Sequence, residues 1–220
     1  MSFKGPSFAA IRDKRARFGA RATARLALHR LLNSVMRLER LNIIILDRDH
    51  MRPLDPALTE RLSSRLATLA DLKAMQGDPR LDIHQERLTS FRAGDSCLLS
   101  YVDGELAGYT WVHTLGRPEL MPGLVISVPT QFLYNYAALT LPEFRGLGLQ
   151  AYRHHQLLDS GLWDDKVGLL GFVMQTNFAS RHGQAKSGYR TIGSIRLVGG
   201  HRHFTALFSR SLRRLGIGRL

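Results

Sequence analysis

The sequence predicts an α/β (α+β) fold, on three observations. A strand, a glycine turn and a helix follow one another between Tyr134 and Leu158, and a β-hairpin is written around Asp103-Gly104. The other apolar patterns complete the order strand, two helices, three strands, helix, strand, helix, two strands. At 220 residues the chain suits one domain with an appendage and can bury a sizeable core.

The first twenty residues, with Gly5, Pro6, Gly19 and scattered arginines, read as an arm. From about Ala20 the pattern turns helical. Leu28, Leu31, Leu32, Val35 and Met36 follow i, i+3, i+4, i+7, i+8, while Arg30 and Arg37 lie off that stripe. Such a basic amphipathic helix either packs on the domain or lies on a membrane interface. Packing is favoured, because Leu41 to Leu46 reads as a strand that holds the helix close. Residues 1–50 are therefore expected to form an N-terminal arm, helix and strand, and residues 51–220 the main domain.

A short strand fits between Thr59 and Ala67. Thr68-Leu-Ala-Asp71 is a capping box opening a helix through Met75, and a second helix is expected over Arg80 to Arg92, closed by Gly94. Ser96 to Val102 and Leu106 to His113 are the hairpin strands. A loop carrying Pro118, Pro122, Gly123 and Pro129 leads into the strand that includes Tyr134, which breaks at Pro142. A helix restarts after Arg145-Gly146-Leu147-Gly148, with Leu147, Ala151 and Leu158 at helical spacing. Val167 to Met174 is a buried strand, Asn177 to Ser187 a helix, and Tyr189 to Val198 with Phe204 to Phe208 a closing pair.

The net charge of +13 sits at the ends: residues 1–40 hold ten Lys/Arg against two acids, and residues 181–220 hold nine against none. Such ends suit nucleic acid, an anionic membrane surface or an acidic partner such as acyl carrier protein, or are a solvated surface with no partner. No base-reading motif is present, so nucleic acid is not the expected partner. Cys97 is the one cysteine, which excludes an internal disulfide; within Cys97-Leu98-Leu99 it reads as a small buried residue. No metal site is expected. No apolar run approaches the roughly 20 residues that span a bilayer, and the basic start lacks a continuous apolar signal segment. A cytoplasmic location is expected, with peripheral contact at the inner face of the membrane left open.

The glycine turn carries the chemistry. Two glycines at a helix start remove the Cβ atoms that keep a ligand off the backbone, and the first-turn N–H groups are unpaired and point outward. With the helix dipole this is a phosphate cradle, and Arg145 places a guanidinium at its mouth. The alternative is an ordinary strand-to-helix turn with glycines for close packing. The pattern is neither the Walker motif nor the Rossmann spacing.

The words L-x-L-P-E-F-R-G-L-G-L resemble the signature of the GNAT acetyltransferase superfamily, R/Q-x-x-G-x-G/A, here Arg145, Gly146, Leu147, Gly148, Leu149 and Gln150. Gln150 departs from the family's Gly or Ala and is expected to narrow the cradle. Asn177-x-x-Ser180 followed by Gly188-Tyr189 resembles the family's second element, and the order of elements matches over about residues 57–209. The resemblance implies a mixed, mostly antiparallel central sheet flanked by helices, with 51–220 as the acetyltransferase domain. It implies acetyl-CoA as co-substrate, its diphosphate on the cradle and its pantetheine arm bonded to the backbone of Leu139, Thr140 and Leu141 between two splayed strands. Asn177 takes the place of the family residue near the pantetheine, or serves as a helix N-cap.

The family's usual acid and base are missing. No acid lies between Thr130 and Thr140, Glu143 belongs to the cradle loop, and Gln184 stands where many members carry a general-acid Tyr. Candidate substitutes are Tyr136, Ser180 and His182, with His113 at the end of the third strand. Tyr109, Trp111, Tyr134 and Asn135 are candidates for the acceptor side, or for core packing. The expected activity is transfer of an acetyl group from acetyl-CoA to a primary amine, with an amino sugar or envelope-linked acceptor as the leading guess. Two alternatives remain: an acyltransferase fed by acyl carrier protein, and a non-catalytic acyl-CoA-binding protein whose basic ends hold membrane or nucleic acid. Glu119, from another loop, would weaken the last if it reached the thioester.

Overall fold

The computed structural model describes residues 36–159, 161–200 and 203–220, together with Ala24, Leu28 and residues 31–33. Its strands are β1 (Arg37–Asp47), β2 (Leu62–Leu66), β3 (Ser96–Val102), β4 (Glu105–His113), β5 (Glu119–Met121), β6 (Leu124–Val125), β7 (Phe132–Thr140), β8 (Gly168–Met174), β9 (Arg190–Gly199) and β10 (Phe204–Phe208). Its helices are α1 (Pro56–Thr59), α2 (Leu69–Met75), α3 (Gln85–Arg92), α4 (Leu149–Asp159), α5 (Phe178–Lys186) and α6 (Arg210–Arg214). Eight strands form one sheet in the order β10-β9-β1-β8-β7-β4-β3-β2, and β5 with β6 form a separate small hairpin. The large sheet is mixed and mostly antiparallel; β7 and β8 form its parallel pair.

Local chemistry explains the elements. Thr68 accepts from the Asp71 N–H at 3.2 Å while Asp71 accepts from the Thr68 N–H at 2.7 Å, so the capping box opens α2. Asp103 and Gly104 both have positive φ, 49° and 85°, as a two-residue turn matched to strand twist requires. Helix α3 starts at Gln85, later than expected. Asp78 accepts from the Arg80 N–H at 2.9 Å and from its guanidinium, and this turn competes with helix over residues 78–81. The hairpin of β5 and β6 and the short α1 and α6 were not expected.

The strand expected before residue 50 is β1. This strand lies inside the sheet, antiparallel to β8 on one side and to β9 on the other, with Leu41, Ile43 and Leu46 fully buried. Each such side chain contributes roughly 1.5–3 kcal/mol of burial, more than a separate arm could gain. The expected packing of the preceding helix is not seen in its described residues: Leu28, Leu31 and Leu32 are helical yet 57%, 67% and 45% exposed. Val35 and the basic arm of residues 1–23 lie outside the described residues.

The two faces of the sheet are covered differently. One carries α2 and α3 over Leu99, Tyr109 and Trp111, and beside them the β5–β6 hairpin and α6 over Ile43, Tyr134 and Ile195. The other packs α4 through Leu157 and Leu158 on Ile44, Val112, Leu133 and Leu169. Beneath α4 runs a buried polar chain: the Thr110 hydroxyl donates to Asn135 Oδ1 (2.6 Å), Asn135 Nδ2 donates to the Tyr189 oxygen (3.1 Å), and that hydroxyl lies 3.4 Å from His154 Nε2.

Burial pulls the His154 imidazole down to about 3 from its ordinary 6.5. The unfolded chain therefore binds the proton that the folded one refuses. Stability is complete above about pH 6.5 and falls as the pH drops toward 3, by about 1.4 kcal/mol per pH unit for this group. Urea unfolding at stepped pH should show that slope in the parent and a smaller one in His154→Asn; equal slopes would rule the cause out.

Candidate active site

Strands β7 and β8 run side by side only through Phe132↔Gly168, Leu133↔Leu169 and Tyr134↔Leu170, and beyond this they part. The β8-facing edge of β7 is thereby left without a ladder partner from Tyr136 onward. On its other edge β7 keeps to β4, with one irregularity: Ala137 and Ala138 stand opposite the single residue Thr110, and Ala137 has φ of 47°. This bulge re-aims the backbone where the strands separate.

Below the opening lies the glycine turn. Gly146 and Gly148 have φ of 88° and 68°, which glycine adopts without cost. A Cβ added at Gly146 would meet nothing within 4 Å, so the space over this backbone is open. The Tyr152 N–H is the first in α4 to reach a carbonyl one turn back, Gly148 O at 3.1 Å, leaving the N–H groups of Leu149, Gln150 and Ala151 at the free first turn. The exposed Arg145 donates from Nε to the Thr140 carbonyl at 3.3 Å, which brings its guanidinium to the end of β7. These residues fit a diphosphate. Leu147 is half-buried and Leu149 buried, so both serve mainly to seat the turn.

The three strand residues expected along a pantetheine arm differ. The Leu141 N–H is committed to Ala107 O at 2.9 Å, and Leu139 stands opposite Tyr109 in the β4 ladder. Alternation then turns the backbone of Thr140 toward the gap. Its hydroxyl accepts from Arg153 at 2.7 Å, a buried guanidinium that burial pulls down to about 10. Gln150 reaches sideways, its Oε1 3.5 Å from where a Cβ of Gly183 on α5 would lie. Asn177 caps α5 by accepting from the Ser180 N–H at 3.1 Å.

On the opposite face, the bulge opens into a cleft of about 770 Å³ between α3 and the β5–β6 hairpin. Tyr134 and Tyr136 form its floor, stacked with centroids 5.5 Å apart. Asp95 and His113 form its wall. His113 Nδ1 lies 2.6 Å from Asp95 Oδ1, and the Tyr136 hydroxyl bonds the other carboxylate oxygen. Burial, then the bond to Asp95, pushes the Tyr136 hydroxyl well above its usual value, so it remains the donor. With Nδ1–H given to Asp95, His113 Nε2 carries the lone pair; it is buried and has no hydrogen-bond partner. Arg87 stands over the Tyr136 ring at 5.3 Å, and Glu86, Arg117 and Glu119 complete the rim.

The structure brings together Tyr134, Tyr136, His113 and Glu119 and separates the other candidates from them. Tyr109 and Trp111 are 2% and 0% exposed core residues and do not line the cleft. Asn135 belongs to the buried chain on the other face. Ser180 and His182 lie on α5, across the sheet, and His182 is exposed. Cys97 is fully buried, with its thiol pushed up to about 12 by burial. Among the described residues no group of three or more His, Cys, Asp or Glu could hold a metal ion, and no helix is long and apolar enough to cross a membrane. Asp95 and Arg87 had no sequence signal as site residues, since Gly94-Asp95 reads only as the end of a helix.

No protein-family model and no curated protein matches the chain. Solved structures that are similar include a GCN5-related N-acetyltransferase from Kribbella flavida, 15% identical with a TM-score of 0.47, covering 78% of this chain and 62% of that one. A functionally unknown conserved protein from Staphylococcus epidermidis is 12% identical with a TM-score of 0.44, over 76% and 63% of the two chains. A protein from Clostridium acetobutylicum described as a predicted acetyltransferase, solved with acetyl-CoA, is 13% identical with a TM-score of 0.42, over 59% and 90%. The chain thus spans less than two thirds of the length of the Kribbella and Staphylococcus proteins.

Proposed function

We propose that the chain is an acyltransferase of the GNAT kind, moving an acetyl group from acetyl-CoA to a primary amine. The observation that carries the reading is the parting of β7 from β8 directly above an open glycine turn at the start of α4. Backbone at Thr140 would hold the pantetheine arm, and Arg145 with the first-turn N–H groups of α4 would hold the diphosphate.

The amine would enter by the cleft of Asp95, His113 and Tyr136. His113 Nε2, buried at the wall of the cleft, would take a proton from an amine that displaces the side chains covering it, as the amine nitrogen bonds the thioester carbon, and Asp95 fixes the ring through Nδ1. The carbon–sulfur bond then breaks, and the thiolate leaves with the electron pair, to be protonated from solvent. The bulge at Ala137 supports a role in aiming backbone N–H toward the carbonyl oxygen as its charge develops. Water relays from Ser180 or His182 are the weaker alternative, since neither lines the cleft.

The aromatic floor and mixed charges of the rim suit a polar amine, and an amino sugar or envelope-linked amine is the acceptor class proposed. An acyl carrier protein as donor, and peripheral contact with an anionic membrane from the cytoplasmic side, fit the basic ends. The His113–Asp95 pair favours an enzyme over a silent acyl-CoA-binding protein.

Calorimetric titration with acetyl-CoA is the test, followed by thiol release with a panel of amines and amino sugars. Arg145→Ala is expected to weaken binding about tenfold or more, as loss of a charge-assisted contact does. Unchanged affinity in that variant would remove the diphosphate assignment.

A further inference from the structure

A second cleft, of about 270 Å³, lies at the other end of the sheet, between the start of β1, the end of β9 and α5. Leu38, Phe178 and Val198 supply apolar walls, and Arg40, Arg181 and Arg196 converge on it. Arg40 and Arg196 stand directly opposite each other in the β1–β9 ladder. Like charges in that position repel, and among the described residues neither forms an ion pair. Arg181 gives one N–H to the Gln175 carbonyl at 3.2 Å. Glu39 also lines the cleft, but its carboxylate is paired with Arg37 at 3.7 Å and accepts from Asn33 at 3.3 Å, so the three guanidiniums remain in excess. Arg181 and Gly183 lie on opposite sides of α5, two residues and about 200° apart, so this cleft is separate from the glycine cradle that Gln150 borders.

The surroundings are apolar and exposed. Val198 is 38% exposed, and the helical residues Leu28 and Leu32, with Met36, are 57%, 45% and 38% exposed. Asn33 fastens the end of this helical stretch to β1, its Oδ1 accepting from the Leu38 N–H at 2.8 Å, and the cleft begins at Leu38. Three convergent guanidiniums beside exposed leucine and methionine match a phosphate attached to hydrocarbon.

We infer that this cleft receives the phosphate headgroup of an anionic phospholipid, with the leucines and Met36 entering the lipid surface beside it. The site is independent of the acyl-transfer reading: its failure would leave acetyl-CoA binding untouched, and the reverse holds too.

Co-sedimentation with mixed phosphatidylglycerol–phosphatidylcholine vesicles tests it, against phosphatidylcholine alone. The triple variant Arg40→Gln, Arg181→Gln, Arg196→Gln should lose about a hundredfold in vesicle affinity, from the contribution of each basic side chain near an anionic surface. The triple variant Arg210→Gln, Arg213→Gln, Arg214→Gln on α6 loses the same charge and should lose no more than about threefold. Equal losses would show attraction by net charge alone and overturn the site, as would no loss in the first variant. Calorimetry with inorganic phosphate separates the sources: weak or undetectable binding supports the lipid, and tight binding that releases the protein from vesicles would reassign the cleft to a free phosphate compound. Thermal unfolding of the same triple variant is the folding control: a midpoint at or above the parent's, as relief of the Arg40–Arg196 repulsion favours, assigns the loss to the cleft.

Discussion

His113→Gln is expected to lower kcat for amine acetylation by roughly two to four orders of magnitude, with acetyl-CoA affinity within about twofold of the parent. The amide keeps much of the size and can still donate to Asp95, but it has no basic nitrogen for the cleft. Asp95→Asn is expected to cost less. It leaves His113 in place and removes the acceptor that selects the Nδ1–H form, so the loss should lie in kcat with acetyl-CoA affinity close to the parent's. Tyr136→Phe removes one donor to Asp95 but leaves the Asp95–His113 contact in place, and should cost less than either. Stopped-time thiol release against pH reads all three. A His113→Gln enzyme with parental kcat on every accepted amine would remove the base from this cleft and return the role to ordered water.

Gly188→Ala is expected to be strongly destabilising, at about 4 kcal/mol or more in denaturant unfolding. Gly188 has φ of 96°, and a Cβ there would lie 2.0 Å from the His50 carbonyl oxygen. Neither atom is the tip of a flexible side chain, so the contact is relieved only by moving α5's end away from the segment after β1. Tyr189 follows immediately and would be drawn from Asn135 and His154. The variant should therefore also lose the acid-limb slope attributed to His154. A well-folded Gly188→Ala protein within about 1 kcal/mol of the parent would show that this junction yields easily.

The elements and the glycine turn were legible in the sequence because they rest on neighbours within a few residues. Thr68 finds Asp71, Asn177 finds the Ser180 N–H, and Asp103-Gly104 selects its turn, all through backbone sterics and short-range hydrogen bonds. The open turn at Gly146 and Gly148 belongs to the same class. The acceptor-side chemistry was not legible, and one residue shows why. Counting back from the Asp103-Gly104 turn in a regular hairpin, from Val102↔Glu105 and Tyr101↔Leu106, would set Asp95 opposite Val112. The bulge between Ser100 and Tyr101 shifts the register by one, giving Ser96↔Val112 and setting Asp95 beside His113. The local sign of that slip is Gly108, φ 156°, inside β4, but a strand glycine does not say which residues the shifted register will pair. The place of β1 is of the same kind. Its apolar run says that it is buried, but only the gap between β8 and β9 says where. Sequence thus determined the main strands and helices, the caps and the glycine turn, though not the β5–β6 hairpin or the short α1 and α6, while tertiary packing decided which side chains face one another across strands far apart in the chain.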